Sequence, residues 1–207
     1  MMPILKLIIL WLIYFVIHSV FATGYVKLRF KRHLPWMFAY YRIIYVFFAT
    51  VGLAAVFMYQ SSLPFVYLYK MTALITLLGL SLASVGVMVV IASFKYYDAG
   101  EFLGLRQLKG GGEDHTFISR GLLRYIRHPL YSGSILFLIG YFLISPHIPN
   151  LVSALCMILY FVVGARFEEK KLVNAFGEDY LRYKMTTPAF IPNIRTLIRK
   201  SFKPKNQ

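Results

Sequence analysis

Residues 129–165 contain no acidic residue, lysine or arginine and read PLYSGSILFLIGYFLISPHIPNLVSALCMILYFVVGA. The stretch is interrupted once, at Ser145-Pro146-His147-Ile148-Pro149-Asn150. Because two prolines there remove backbone donors and favour a turn, the stretch predicts a helical hairpin with two arms of about 16 residues. Each arm would rise only about 24 Å, whereas a hydrocarbon core is about 30 Å thick. We therefore expect the hairpin to thin the membrane or to pack inside a helical bundle.

The composition of the whole chain indicates an integral membrane protein. With 58% hydrophobic residues, 15% charged residues and a mean hydropathy of +0.62, a soluble domain of this size would lack the polar surface to cover itself. Three more charge-free intervals, 7–26, 43–69 and 71–94, each reach the roughly 20 residues that a spanning helix needs. We predict an all-α integral membrane protein with five transmembrane segments, of which the last two form the short hairpin.

The formal net charge of +15 is distributed unevenly along the chain. Every lysine and arginine except Lys6 and Lys70 falls in the segments 27–42 and 95–127 or after residue 165. This distribution follows the positive-inside rule and predicts an outer N-terminus and a cytoplasmic C-terminus. Membrane orientation accounts for the basicity, so we expect no nucleic-acid partner. We expect membrane lipids as partners, with anionic headgroups at the basic tail 195–205.

Small residues and the lone cysteine have structural interpretations. Gly79, Ala83 and Gly86 recur at near-helical spacing in the third apolar interval, which predicts close packing against a neighbouring helix. Cys156 is the only cysteine, so neither an intrachain disulfide nor a thiolate metal cluster can form, and we expect no metal site.

Two further segments flank the hairpin. The loop before it contains Gly110-Gly111-Gly112, which we interpret as a hinge because no Gly-Lys-Ser/Thr ending follows, and then a short interfacial segment, 117–126. After the hairpin, residues 168–184 predict an amphipathic helix on the cytoplasmic face, closing over the hairpin. Its apolar positions recur at spacings of three and four and are Leu172, Phe176, Tyr180 and Tyr183.

Charged and polar residues gather at the two ends of the hairpin, which antiparallel arms bring together. Ionised groups at the mouth of a membrane-buried segment more often serve a ligand than a lipid. Such a cluster can hold a zwitterion, with an arginine for a carboxylate and a glutamate for an ammonium. The alternative is structural, with the arginines reaching lipid headgroups and the glutamates pairing with them. The residues are Arg127, His128 and Tyr131 at the entrance and Arg166, Glu168 and Glu169 at the exit.

The spacing of these residues resembles the signature of a known superfamily. The pattern is Arg127-His128-Pro129-x-Tyr131-x-Gly133, then Glu168-Glu169-x-x-Leu172-x-x-x-Phe176-Gly177-x-x-Tyr180-x-x-Tyr183, then Pro188-x-x-Ile191-Pro192. It is similar to the signature of the isoprenylcysteine carboxyl methyltransferase and phospholipid methyltransferase superfamily, over residues 120–192. The resemblance implies a membrane methyltransferase that takes S-adenosylmethionine from the cytoplasm.

The same resemblance implies roles for individual residues. Arg127 and Glu168 are expected to be catalytic, and Glu168 is also expected to bind the cofactor. The other expected cofactor-binding residues are His128, Pro129, Tyr131, Gly133, Arg166 and Glu169. On this interpretation residues 1–94 form a three-helix transmembrane scaffold and residues 95–207 form the methyltransferase catalytic module.

The front half of the chain points to one branch of the superfamily. His18-Ser19, Val26-Lys27, Tyr41-Arg42-x-x-Tyr45 and Phe102-x-Gly104-Leu105-Arg106-Gln107 are similar to the bacterial group that contains methanethiol S-methyltransferases and NnrU-like proteins. This implies a bacterial inner-membrane enzyme with a small thiol or apolar acceptor. If His18 reaches the mouth of the hairpin, it would be catalytic and would accept a thiol proton or orient the thiolate; the alternative is a structural histidine with a hydrogen-bond partner at the membrane interface. The alternatives are an isoprenylcysteine carboxyl or phospholipid amine methyltransferase and a non-catalytic accessory protein.

Overall fold

The computed structural model describes residues 2–95, 100, 105–108, 117 and 119–193. The glycine run 110–112, most of the loop around it and the tail 195–205 lie outside the described residues. Within the described ranges the chain is helical, with one isolated antiparallel bridge between Tyr67 and His147. The helices are α1 (Met2–Phe21), α2 (Gly24–His33), α3 (Tyr41–Ser61), α4 (Ala73–Phe94), α5 (Leu105–Leu108), α6 (Pro129–Ile144) and α7 (Ile148–Thr186), with short 3-10 helices at Pro35–Tyr40 and Gly121–Arg124.

Among the described residues, four segments are long and apolar enough to cross a membrane: α1, the segment Pro35–Ser61 that contains α3, α4, and α7. The α-helical membrane architecture predicted from the sequence is therefore confirmed. The first arm of the hairpin is α6, which has the expected 16 residues and is shorter than the other apolar helices. A count of five spans remains a prediction, because it depends on whether α6 crosses the membrane.

The second arm of the hairpin differs from the prediction. α7 runs from Ile148 to Thr186 over 39 residues, so the prediction of a separate helix starting at Glu168 is wrong. No helix-breaking residue lies between Ala165 and Glu168, so the helix continues from the apolar stretch into the charged residues that follow it. The interruption comes instead at Gly177, where φ is 54° and ψ is −129°. Glycine adopts this left-handed φ without the steric cost of a Cβ, so the kink occurs there.

The chain divides into two compact units. The first comprises residues 1–70, 97–114 and 145–157, and the second comprises 71–96, 115–144 and 158–207. This division differs from the boundary after residue 94 that the sequence suggested, because α4 falls in the second unit together with α6.

In the second unit, α4 and α6 pack backbone against backbone. A Cβ on Gly86 would lie 2.5 Å from the Phe137 nitrogen, and a Cβ on Gly140 would lie 2.4 Å from the Ala83 nitrogen. Neither site can hold a side chain without moving the helices apart, so the predicted small-residue packing of α4 is confirmed. The short α6 thus gains extensive contact with a longer apolar helix.

In the first unit, α1, α3 and the start of α7 are joined by a buried polar chain of five side chains. Trp11 Nε1 donates to Ser153 Oγ at 2.7 Å, and Ser153 Oγ donates to Gln60 Oε1 at 2.6 Å. Gln60 Nε2 donates to Asn150 Oδ1 at 2.7 Å, and Asn150 Nδ2 donates to Ser145 at 2.8 Å. Polar groups in an apolar environment are costly unless paired, so this chain fixes the three helices in one register.

Candidate active site

The entrance to α6 is held by the segment that follows α7. The backbone nitrogens of Arg127 and His128 donate to the carbonyl oxygens of Pro188 and Ala189 at 2.9 and 3.0 Å. Pro129 opens α6, where its missing N–H needs no partner and its fixed φ already suits a helix. These bonds place the side chains of Arg127 and His128 beside the charged part of α7.

Arg127 is fully engaged by protein groups. Its Nε donates to Glu169 Oε1 at 2.8 Å, and its Nη2 lies 2.6 Å from the same oxygen. Its Nη1 donates to the carbonyl oxygens of Lys184, at 3.0 Å, and Thr187. Carbonyls at the end of a helix lack intrahelical partners, so the guanidinium caps α7 while it binds a carboxylate. The structure therefore gives Arg127 the contacts of a residue that positions Glu169.

The Glu169 carboxylate contacts three basic side chains. Besides Arg127, it accepts from His128 Nε2 at 3.1 Å and pairs with Lys184 Nζ at 2.7 Å, and the residue is only 8% exposed. It lies beyond the apolar stretch of α7. Burial raises the pKa of this carboxyl, but the hydrogen bonds from Lys184, Arg127 and His128 outweigh it and lower the pKa to about 2. Glu169 is therefore ionised at neutral pH.

Glu168 differs from its neighbour in being accessible. Its side chain is 38% exposed, and its Oε2 lies 3.6 Å from His128 Nδ1, which is longer than a hydrogen bond. His128 itself is buried, with one ring nitrogen facing each glutamate. The pair thus contains one carboxylate saturated by protein groups and one that has oxygen lone pairs left for another molecule.

The sequence pattern placed Tyr180 on the apolar face of a helix, and its hydroxyl was not considered as a hydrogen-bonding group of the site. The residue is 1% exposed, and its hydroxyl has no hydrogen-bond partner within the part of the chain that the structure describes. Burial and the charge of Glu169 raise the pKa of this phenol to about 12, and Arg127 opposes them. The protonated hydroxyl is a buried donor without an acceptor, beside the charged residues. The available sequence signal was a tyrosine on an apolar stripe that it shares with Leu172, Phe176 and Tyr183.

Four aromatic rings form a row along one side of the cluster. The centroids of Phe190 and His128 lie 5.7 Å apart, those of His128 and Tyr131 lie 5.6 Å apart, and those of Tyr131 and Phe161 lie 5.4 Å apart. The last two pairs are stacked, with interplanar angles of 20° and 14°. Such faces attract planar groups and cations. Phe161 and Phe190 were not singled out from the sequence.

The remaining predicted site residues occupy different surroundings. Pro129 is buried, and Gly133 faces α4, since a Cβ there would lie 2.8 Å from the Gly86 oxygen. Arg166 is exposed on α7 and makes no ion pair with another residue for which the structure gives a position. His18 belongs to the first unit, where its Nε2 lies 2.8 Å from the Tyr45 hydroxyl oxygen. Its role as a base stays a prediction.

The sequence of this chain matches a family profile and several characterised proteins. The phospholipid methyltransferase profile matches residues 74–179. Methanethiol S-methyltransferase of Crocosphaera subtropica is 30% identical over 183 residues, covering 86% of this chain and 70% of that protein. Methanethiol S-methyltransferase 2 of Bradyrhizobium diazoefficiens is 28% identical over 198 residues, covering 90% and 74%. Protein-S-isoprenylcysteine O-methyltransferase of Schizosaccharomyces pombe is 31% identical over 83 residues, covering 40% and 35%. No solved structure gives a significant match.

The matched region contains the arginine, the histidine and both glutamates of the charged cluster, whereas Tyr180 and Lys184 follow it. Residues 74–179 include α4, α6 and most of α7, and with them Arg127, His128, Glu168 and Glu169. The match extends over half of the chain, and the similar proteins named above are S- and O-methyltransferases. The chain therefore belongs to the phospholipid methyltransferase family and is a membrane methyltransferase.

Proposed function

We propose that this protein transfers a methyl group from S-adenosylmethionine to a small thiol. The observation that carries the proposal is the extent of the likeness to two methanethiol S-methyltransferases, which covers 86% and 90% of the chain. The likeness to the isoprenylcysteine enzyme covers only 40%. These two small-thiol enzymes therefore resemble the front half of the chain as well.

The residues of the charged cluster fit the cofactor. S-adenosylmethionine combines an ammonium, a carboxylate, a sulfonium cation and a planar base. Glu168 offers an accessible carboxylate for a cation, and the orphaned hydroxyl of Tyr180 offers a donor for an anionic or hydroxyl oxygen. The aromatic row formed by His128, Tyr131 and their neighbours offers faces for the base or the sulfonium.

We assign the roles accordingly. Glu168 would hold the ammonium of the cofactor, and the Tyr180 hydroxyl would donate to one of its oxygens. Arg166 would add a positive charge near the carboxylate of the cofactor. Arg127 and Glu169 hold the entrance of α6 against α7 and so position His128 between the two glutamates. Gly133 serves the packing of α6 on α4. When bound, S-adenosylmethionine supplies an electrophilic methyl group on a sulfonium.

The protein's part in the reaction is orientation. Methyl transfer is an in-line displacement, so holding the acceptor about 3 Å from the methyl carbon contributes much of the acceleration. A thiol is a strong nucleophile once ionised, and neither a metal ion nor a catalytic triad is required. We propose that His18 accepts the thiol proton or orients the thiolate. His18→Ala should then slow thiol methylation by about 10²-fold while cofactor affinity is unchanged, and His33→Ala serves as the control.

The decisive experiment is a methyl-transfer assay on the purified protein in detergent. Methyl-labelled S-adenosylmethionine is supplied with one of three acceptors: a short alkyl thiol, a farnesylated cysteine or phosphatidylethanolamine. We expect label on the thiol alone. Label on the farnesylated cysteine or on the lipid would overturn the small-thiol assignment in favour of the corresponding enzyme. Cofactor binding with no methylation of any acceptor would favour an accessory protein.

We also propose that the protein lies in a bacterial inner membrane with its N-terminus outside and its C-terminus in the cytoplasm. The distribution of lysine and arginine supports this orientation. In a Cys156→Ala background, a membrane-impermeant thiol reagent should reach Ser62→Cys only from outside, and Gly111→Cys and Lys203→Cys only from the cytoplasm. Labelling of Lys203→Cys from outside contradicts the orientation.

A further inference from the structure

The segment 24–40, made of α2 and the 3-10 helix after it, has the surface of a membrane anchor. None of the residues of α2 is buried, and the helix starts cleanly at Thr23, whose hydroxyl accepts from the Val26 nitrogen. Large apolar side chains stand out from the segment. The most exposed are Tyr25 (70%), Leu28 (67%) and Trp36 (74%). We call residues 24–40 the basic–aromatic segment.

The charge of this segment is uniformly positive. The first acidic residue of the whole chain is Asp98, so no carboxylate occurs in the segment or in either flanking helix. Arg29 donates to the Tyr25 hydroxyl at 3.3 Å, and the Lys31 ammonium lies 5.2 Å above the Phe38 ring. These partners are neutral, so they orient the cations without cancelling their charge. Arg32 adds a third exposed cation in the same helix.

The combination of fixed cations and exposed aromatic groups identifies the chemistry of the partner. A free phosphate or a nucleic acid would engage the cations, but it would leave Leu28 and Trp36 in water. The interface of a bilayer takes both, because tryptophan and tyrosine sit at headgroup level and phosphate groups attract arginine and lysine. The segment also follows α1 directly, so it lies next to the end of a membrane-spanning helix.

We infer that the basic–aromatic segment binds anionic phospholipid headgroups, with Arg29, Lys31 and Arg32 engaging the phosphates and Trp36 lying at headgroup level, where the acyl chains begin. The inference is independent of the methyl acceptor. It assigns the segment a preference for anionic over zwitterionic lipid, which is stronger than a statement that the protein lies in a membrane.

The protein carries its own reporter for this preference. Its two tryptophans are Trp36, which is exposed, and Trp11, which is fully buried in the first unit. The protein is reconstituted in phosphatidylcholine bilayers, and quenching of tryptophan fluorescence is measured with brominated phosphatidylglycerol or brominated phosphatidylcholine. Trp36→Phe gives the Trp11 background. We expect brominated phosphatidylglycerol to associate about fivefold more strongly, the preference that one cation near an anionic surface can supply.

Charge variants test the origin of the preference. The triple variant Arg29→Gln, Lys31→Gln, Arg32→Gln should quench equally with both lipids, and so should the unaltered protein in about 1 M salt, where the Debye length falls to about 3 Å. Lys170→Gln with Lys171→Gln, on an exposed part of α7, should keep the preference. Equal quenching of the unaltered protein at low salt overturns the inference, and so does a preference that survives in the triple variant or is lost in the control. If the triple variant does not fold, the salt series decides.

Discussion

The two units each contain a buried polar cluster, and the clusters differ in charge and in completeness. The polar chain of the first unit is neutral, and each of its five side chains has a hydrogen-bond partner. The cluster of the second unit is ionic, with one accessible carboxylate, Glu168, and one orphaned hydroxyl, Tyr180. A closed network fixes structure, whereas donors and acceptors left over beside buried charges indicate a ligand. The comparison therefore supports the proposed cofactor site in the second unit.

An orphaned atom alone does not make this distinction. In the first unit, Nδ1 of His147 is also buried without a hydrogen-bond partner in the described structure. Its ring, however, lies against those of Phe65 and Tyr67, with centroids 4.8 and 4.2 Å away. The orphaned atom of His147 has aromatic neighbours, whereas that of Tyr180 has charged ones. A buried polar atom without a hydrogen-bond partner therefore indicates a ligand site only where charged residues lie beside it.

The largest effect is expected from breaking the ionic cluster at its centre. Glu169→Gln removes the carboxylate that Arg127 binds in the described part of the chain and leaves a largely buried guanidinium, 11% exposed, without that counter-ion. Removal of one partner of a buried pair costs about 3–5 kcal/mol of unfolding free energy. The melting temperature in detergent should fall accordingly. Glu178→Gln, at an exposed position of α7, is the control, and equal melting temperatures for the two variants would contradict the assigned role of Glu169.

Acid should reproduce most of that loss. The pKa of Glu169 is about 2 in the folded protein against an ordinary value of 4.5, so its contribution is complete above pH 4.5 and disappears as the pH falls towards 2. A shift of this size corresponds to about 3 kcal/mol. Melting temperatures measured between pH 7 and pH 2.5 should show a decrease below pH 4.5. The Glu169→Gln variant should lack this component, and an identical decrease in the variant would assign the acid sensitivity to other carboxyls.

Glu168→Gln should separate binding from stability. Among the described residues, the accessible carboxylate has only a long contact, 3.6 Å to His128 Nδ1, so neutralising it should change the unfolding free energy by less than about 0.5 kcal/mol. If Glu168 holds the cofactor's ammonium, affinity for S-adenosylmethionine should weaken by about 1.5–3 kcal/mol, which titration calorimetry resolves. Unchanged affinity would return Glu168 to a structural role.

In the neutral polar chain of the first unit, a substitution should lower stability and leave cofactor binding unchanged, the reverse of the result expected for Glu168→Gln. Ser153→Ala cuts the link between Trp11 and Gln60 and leaves a buried donor and a buried acceptor unpaired. We expect a loss of about 1–3 kcal/mol in unfolding free energy with unchanged cofactor affinity. Ser134→Ala, which removes a hydroxyl bonded to a carbonyl of its own helix, should cost less. A Ser153→Ala variant with normal stability and weakened cofactor binding would contradict the division between the clusters.

Much of the fold could be predicted because lipid restricts the choices. Apolar stretches of about 20 residues leave helices as the favoured solution. Glycines at helical spacing on α4 predicted close packing against a neighbouring helix, which the structure identifies as α6. The length of α7 could not be predicted in this way. A change from apolar to charged sequence moves a helix out of the hydrocarbon but does not end it, so the boundary lay at Gly177 instead of Glu168.

The convergence of the candidate site residues could be predicted from the sequence, but the contacts that each of them makes could not. The spacing of Arg127, Glu168 and Glu169 indicated that they would converge, and the structure brings them together around His128. The pattern does not say which groups satisfy one another. Arg127 is saturated by Glu169 and by carbonyls at the end of α7, which depends on tertiary placement. The orphaned Tyr180 hydroxyl is likewise visible only once its neighbours are known.

The smallest effect is expected for Tyr180→Phe, which tests directly whether the polar clusters of the two units differ in completeness. Tyr180→Phe removes a buried hydroxyl that has no hydrogen-bond partner among the described residues, so the unfolding free energy should be unchanged or rise by up to about 1 kcal/mol. If the hydroxyl donates to the bound cofactor, affinity for S-adenosylmethionine should fall by about 0.5–1.5 kcal/mol, or about twofold to tenfold. Melting and calorimetry on the same preparation measure both quantities.

Tyr183→Phe is the matched control for that variant. Tyr183 lies one turn further along α7, and its hydroxyl donates to the Leu123 carbonyl oxygen at 2.5 Å. Removing a satisfied hydroxyl should lower the melting temperature and leave cofactor affinity unchanged, the reverse of the result expected for Tyr180→Phe. Two tyrosines on one helix thus repeat the contrast between the clusters. If Tyr180→Phe lowers the melting temperature as Tyr183→Phe does, with normal affinity, then the Tyr180 hydroxyl belongs to the structure and not to the site.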